Sequence, residues 1–131
     1  MSTLQRILYV EDEPDIQAVA RVALENVGGF DLQVCSSGKA ALAEATAFAP
    51  DLILLDVMMP DMDGPDTLKA LYALPELADT PAIFMTAKAQ AGEVESYRSL
   101  GALEVIVKPF DPMTLADEIN VIWQQYVAGR H

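Results

Sequence analysis

Four groups of residues in this chain could do chemistry together. Glu11-Asp12-Glu13 closes the apolar run Ile7–Val10, and Asp56 closes Leu52–Leu55. Thr86 follows Ala82–Met85, and Lys108-Pro109 follows Val105–Val107. If the first and third runs are adjacent strands, Glu11, Asp12 and Asp56 are neighbours. Two unit charges about 5 Å apart repel by roughly 3 kcal/mol at an effective dielectric of ~20. Three such carboxylates call for a proton or a cation. Hard oxygen ligands with vacant positions suit Mg²⁺ or Mn²⁺ and leave room for a phosphoryl oxygen. A carboxylate carried to the mouth of such a site, as Asp56 is, can act as a nucleophile toward phosphorus. Taken singly, each group has a plainer reading. Glu11–Glu13 suits a solvated loop, Thr86 a helix cap and Lys108 the surface. Pro109 sets Lys108 apart, because an X-Pro bond there can be cis and would fix the direction of the side chain.

The elements that must position these residues are legible as alternation. Apolar runs at Ile7–Val10, Leu32–Cys35, Leu52–Leu55, Ala82–Met85 and Val105–Val107 suit strands buried on both faces. Helical patterns lie between them. Ile16, Val19, Ala20, Ala23 and Val27 fall on one face, with Gly28-Gly29 as a stop. Lys39–Phe48 follows Ser37 as N-cap. A third helix starts near Pro65 and ends before Pro75. The fourth, Ala91–Leu100, is the weakest, with only Val94, Tyr97 and Leu100 as anchors. The last has Asp111 as N-cap, Pro112 at its first position and a stripe of Leu115, Ile119, Ile122 and Tyr126. Strand and helix alternating five times predict an α/β fold, a parallel sheet with right-handed crossovers and helices on both faces. In such sheets ligands bind beyond the carboxyl ends of the strands, where Glu11, Asp56, Thr86 and Lys108 lie.

Composition bounds the rest. The chain has 131 residues, 52% of them apolar, and a formal net charge of −12. That suits one domain able to bury roughly two thirds of its unfolded surface. The acidity argues against direct nucleic-acid binding. No signal peptide or membrane span is read, so a cytoplasmic location is expected. The single Cys35 reads as a buried small hydrophobe. Asp61-Met62-Asp63-Gly64 reads as a turn rather than a calcium loop, and His131 is a poor catalytic candidate.

The sequence resembles the receiver domains of two-component response regulators, including the stand-alone chemotaxis type. The resemblance rests on Ile7–Pro14, on Pro50–Pro60 with Asp63-Gly64, on Phe84-Met85-Thr86-Ala87, on Gly101-Ala102 and on Val107-Lys108-Pro109-Phe110. It covers about residues 5 to 126 of a single domain spanning 1–131. It implies a five-stranded parallel sheet in the order 2-1-3-4-5, flanked by five helices in a flavodoxin-like three-layer sandwich. By the same resemblance Asp56 accepts a phosphoryl group from a phosphohistidine on a sensor kinase or phosphotransfer protein. Glu11, Asp12, Asp56 and the Met58 backbone carbonyl would bind Mg²⁺, with Mn²⁺ as an alternative. Thr86 would bond the phosphoryl group, Ala87 would keep the approach open, and Lys108 would pair with the phosphoryl oxygens.

The implied protein is a switch that catalyses only its own phosphorylation and dephosphorylation. A downstream protein would read the face made by the fourth helix, fifth strand and fifth helix, where Val121 lies off the apolar stripe. A monomer or a weak phosphorylation-dependent dimer is expected. By this reading no output domain follows the fifth helix, and the output is expected to be protein–protein contact or onward phosphotransfer. Three positions depart from the family pattern. Val105 stands where an aromatic switch residue is usual, Asp61 where Gly is common, and Pro65 where a larger apolar residue is common. Two other classes fit less well. A Mg²⁺-dependent aspartyl-phosphate phosphatase would want an acid at Met58 and a cap domain. A flavodoxin-like electron carrier would want a phosphate loop where Glu11–Glu13 stands.

Overall fold

A computed structural model describes residues 3–87 and 90–129; His131 lies outside them. Five strands run β1 (Arg6–Val10), β2 (Asp31–Cys35), β3 (Leu52–Asp56), β4 (Ala82–Thr86) and β5 (Ala102–Val107). All pair in parallel, in the order β2-β1-β3-β4-β5. Between and after them lie α1 (Pro14–Arg21), α2 (Gly38–Phe48), α3 (Gly64–Tyr72), α4 (Ala91–Ser99) and α5 (Leu115–Ala128). The expected parallel α/β sheet is therefore present.

The period-two alternation of strand side chains divides the core in two. Ile7, Tyr9, Leu52, Leu54, Ile83 and Met85 face Ala20, Leu24, Leu115, Ile119 and Trp123 of the first and last helical segments. Leu8, Val10, Ile53, Leu55 and Phe84 face Ala41, Ala45, Leu68, Leu71 and Tyr97 on α2, α3 and α4. Burial on both faces holds for β1, β3 and β4 only. The edge strands β2 and β5 each have one neighbour, and in β5 only Ala102 and Ile106 are fully covered. β5 also starts three residues before the apolar run that marks it.

Two helices depart from expectation. The first continues as a π-helical segment, Val22–Val27, with Gly28 N–H donating to Ala23 O at 3.1 Å. The wider turn rotates the stripe, so Leu24 is buried while Val27 is left 43% exposed; Val19, also expected inside, is 42% exposed. Asp111 accepts from Met113 N–H at 2.9 Å, but it is not the cap of the regular helix: that position is Thr114, which makes no side-chain cap bond. A tight turn with Thr114 N–H on Asp111 O delays the regular α5 to Leu115. Ser37 caps α2 as expected, accepting from Ala40 N–H at 3.0 Å. Asp63, read only as part of a turn, also caps α3, accepting from Asp66 N–H at 2.9 Å. Asp61 sits at φ 68°, a left-handed turn position that Asp tolerates.

Cys35 is buried as read, and burial followed by the charge of Glu44 pushes its thiol from an ordinary 9.0 to about 11. A raised thiol contributes stability that is complete below its unfolded value and is lost as pH rises through the folded one. Native protein at pH 7.5 is therefore expected to resist iodoacetamide, with reaction accelerating up to about pH 11. Complete labelling within minutes at pH 7.5, read by intact mass, would contradict this.

Candidate functional site

The carboxyl ends of β1, β3, β4 and β5 converge on one pocket of charge. Glu11 follows β1 directly, and its N–H donates to Cys35 O at 3.0 Å, continuing the ladder to β2. Asp56 is the last residue of β3, held by pairing to Met85 of β4. Thr86 ends β4, and its carbonyl accepts from Lys108 N–H at 2.8 Å. The Lys108-Pro109 bond is cis. Glu11 is fully buried and Asp56 nearly so, while Asp12 is half-buried. One carboxylate oxygen from each lies within 4.8 Å of the others.

Lys108 Nζ bridges this cluster, 2.8 Å from Asp56 Oδ1 and 3.2 Å from Glu11 Oε1. Burial pulls its ammonium down, but the hydrogen bond and charge of Asp56, and then those of Glu11, outweigh this and hold it above the usual lysine value. Burial raises the Glu11 carboxyl, and the Asp56 charge raises it further. The sequence-predicted Glu11, Asp12, Asp56 and Lys108 are thus brought together. Thr86 lies beside them, 5% exposed. Met58 lies two residues beyond Asp56 with its side chain 78% exposed.

Three contacts to Glu11 go beyond the sequence reading. Tyr9, fully buried on β1, donates its hydroxyl to Glu11 Oε1 at 3.4 Å. Glu13 N–H donates to Glu11 Oε2 at 3.2 Å. Gln17 Nε2 donates to the Glu11 carbonyl and to Ser36 Oγ, tying α1 to the loop after β2. Tyr9 alone left a signal, since residues i and i+2 of a strand share a face.

A groove of about 480 Å³ opens beside Lys108, lined by Ile16, Val19, Pro109 and Phe110, with Glu13 and Asp15 at its rim. On the opposite face Val105 pairs in register with Phe84. The Tyr97 ring of α4 packs on Phe84 at 5.0 Å between centroids, and Tyr97 is the one buried side chain of α4. The weak fourth helical pattern is therefore a helix with one buried side chain, tied to β5 also by Arg98 on Glu104 at 2.7 Å.

A family model, Response regulator receiver domain, matches residues 7–120. The chain is 34% identical over 125 residues to the regulatory protein AtoC of Escherichia coli, covering 95% of this chain and 26% of AtoC. It is 35% identical over 116 residues to the DNA-binding response regulator MtrA of Mycobacterium tuberculosis, covering 88% and 49%. The chain thus spans at most about half the length of these curated relatives. Among solved structures, the chemotaxis protein CheY4 of Vibrio cholerae superposes with a TM-score of 0.84 at 28% identity, covering 92% of this chain and 99% of that one. No helix among the described residues is long and apolar enough to cross a membrane. The strand order, the charged pocket at its carboxyl edge and these likenesses agree: the chain belongs to the receiver domains of two-component response regulators.

Proposed function

We propose that the chain is a single receiver domain whose Asp56 accepts a phosphoryl group from a phosphohistidine on a sensor kinase or phosphotransfer protein in the cytoplasm. The observation that carries this is the bridge from Lys108 to Asp56 and Glu11, with Asp12 completing the carboxylate cluster. An all-oxygen donor set fits a hard divalent cation. Glu11, Asp12, Asp56 and the Met58 carbonyl are the residues that would hold Mg²⁺, or Mn²⁺. Such an ion, when bound, supplies charge neutralisation for the approaching phosphoryl oxygens.

Asp56 attacks phosphorus with a carboxylate oxygen; the P–N bond to the donor imidazole breaks and its electron pair leaves with the imidazole. Lys108, already on Asp56, pairs with the arriving oxygens, and the Thr86 hydroxyl bonds another. Ala87, small and exposed, leaves the approach open. Positioning and charge compensation make up the protein's part. Phosphorylation adds about −1.5 to −2 charges at this point and shifts α4, β5 and α5, the face read by a downstream protein. Val107 and Val121 are exposed on that face. The same site removes the group by hydrolysis, and the domain is a monomer or a weak phosphorylation-dependent dimer.

The test is intact-mass spectrometry after incubation with acetyl phosphate and Mg²⁺. Wild type is expected to gain one phosphoryl group and Asp56→Asn none. An equal gain by Asp56→Asn would remove Asp56 as acceptor. No gain by wild type from acetyl phosphate or phosphoramidate would overturn the proposal.

A further inference from the structure

Tyr9 is a buried hydroxyl directly beneath the carboxylate cluster. It shares a strand face with Glu11, two residues on, and donates to Glu11 Oε1 at 3.4 Å. That same oxygen accepts from Lys108 Nζ at 3.2 Å, while Glu13 N–H occupies Oε2. Of these three donors only Lys108 is shared with Asp56. An ammonium that turns to a phosphoryl group on Asp56 withdraws from Glu11. Leaving a buried carboxylate oxygen without a donor is strongly unfavourable. Tyr9 sits on a central strand and cannot follow Lys108 away. A tyrosine hydroxyl keeps its proton at neutral pH, so it remains a donor.

We infer that Tyr9 is a positioning residue: its hydroxyl keeps Glu11 Oε1 satisfied and thereby frees Lys108 to bond a phosphoryl group on Asp56. This role rests on the phosphoacceptor reading of Asp56.

The test is calorimetric titration with beryllium trifluoride, a phosphoryl-shaped anion, in saturating Mg²⁺, and separately with Mg²⁺ alone. Tyr9→Phe is expected to weaken the anion about fivefold, the size of one net hydrogen bond, and to leave Mg²⁺ affinity within about twofold. Tyr72→Phe is the control. It loses a hydroxyl bond to Thr80 O at 2.8 Å in the other core layer, and both affinities should stay unchanged. In a Lys108→Ala background, Tyr9→Phe should add nothing.

Unaltered anion affinity in Tyr9→Phe overturns the inference. So does an equal loss in the Lys108→Ala background, or a fall in Mg²⁺ affinity by the same factor as the anion. If Lys108→Ala binds no anion, the comparison with Mg²⁺ alone decides. Failure of wild type to bind the anion, or undiminished binding by Asp56→Asn, would instead remove the phosphoacceptor reading itself.

Discussion

Lys108→Met is expected to destabilise the metal-free protein by about 3 kcal/mol, roughly 10 °C in Tm. Lys108 is the cation paired with both Asp56 and Glu11, at 2.8 and 3.2 Å. Its removal leaves two buried carboxylates facing each other with Asp12 alongside. Breaking a buried ion pair from one side is costly because the partner charge stays behind. The raised ammonium contributes stability that is complete below the ordinary lysine range and lost as pH rises through its own value. The deficit is therefore fully expressed at pH 7.5.

Two companion results follow from the same charges. Glu11 is already raised by burial and by Asp56, so acid conditions that protonate it should shrink the deficit. Asp56→Asn should move the other way, raising the Tm of the metal-free protein by removing one of three clustered charges. Thermal melts in chelator at pH 7.5 decide the matter. A Lys108→Met protein melting within roughly 2 °C of wild type would show that the bridge does not compensate the carboxylates.

The second large effect is expected at Gly64. A Cβ there would lie 2.4 Å from the carbonyl oxygen of Asp56 and 2.9 Å from Val57 Cα. Both are backbone atoms, so no side-chain rotation relieves the contact. The approach is enforced by Gly64 N–H donating to Val57 O at 2.8 Å, which folds the start of α3 against the end of β3. Gly64→Ala should cost about 2–3 kcal/mol, in the range of overpacked interiors. It should also slow phosphorylation, because the strand end that aims Asp56 must shift. Gly92 supplies the contrast. A Cβ there meets nothing within 4 Å, in the first turn of α4. Gly92→Ala should stabilise by up to ~1 kcal/mol through helix propensity and leave phosphorylation unchanged. Chemical denaturation with a phosphorylation time course separates the two. Gly64→Ala with wild-type values for both would refute the steric argument.

The site was legible wherever a strand end fixes a side chain's position. Glu11, Asp56, Thr86 and Lys108 each follow an apolar run, and parallel pairing brings their carboxyl ends level. Asp12 follows from its neighbour. Tyr9 was hidden because an aromatic in a buried strand reads as core, and its hydroxyl matters only through a contact two residues away. Gln17 was hidden because its amide reaches back to a backbone carbonyl. The π-helical segment has no mark in residue type; its effect is seen in which valines stay outside. The edge position of β5 follows from topology, which a short apolar run does not encode.

Trp123, the only tryptophan, is buried on α5 with its ring 5.7 Å from Tyr126. It belongs to the core layer under the first and last helices, while Phe84 and Tyr97 belong to the other. Indole emission is therefore a one-sided optical probe. An unfolding curve followed by tryptophan fluorescence describes the α5 side alone, and a detachment of α4 would pass unseen by it. Coincidence of that curve with far-ultraviolet circular dichroism would then mean that the two layers melt as one cooperative body.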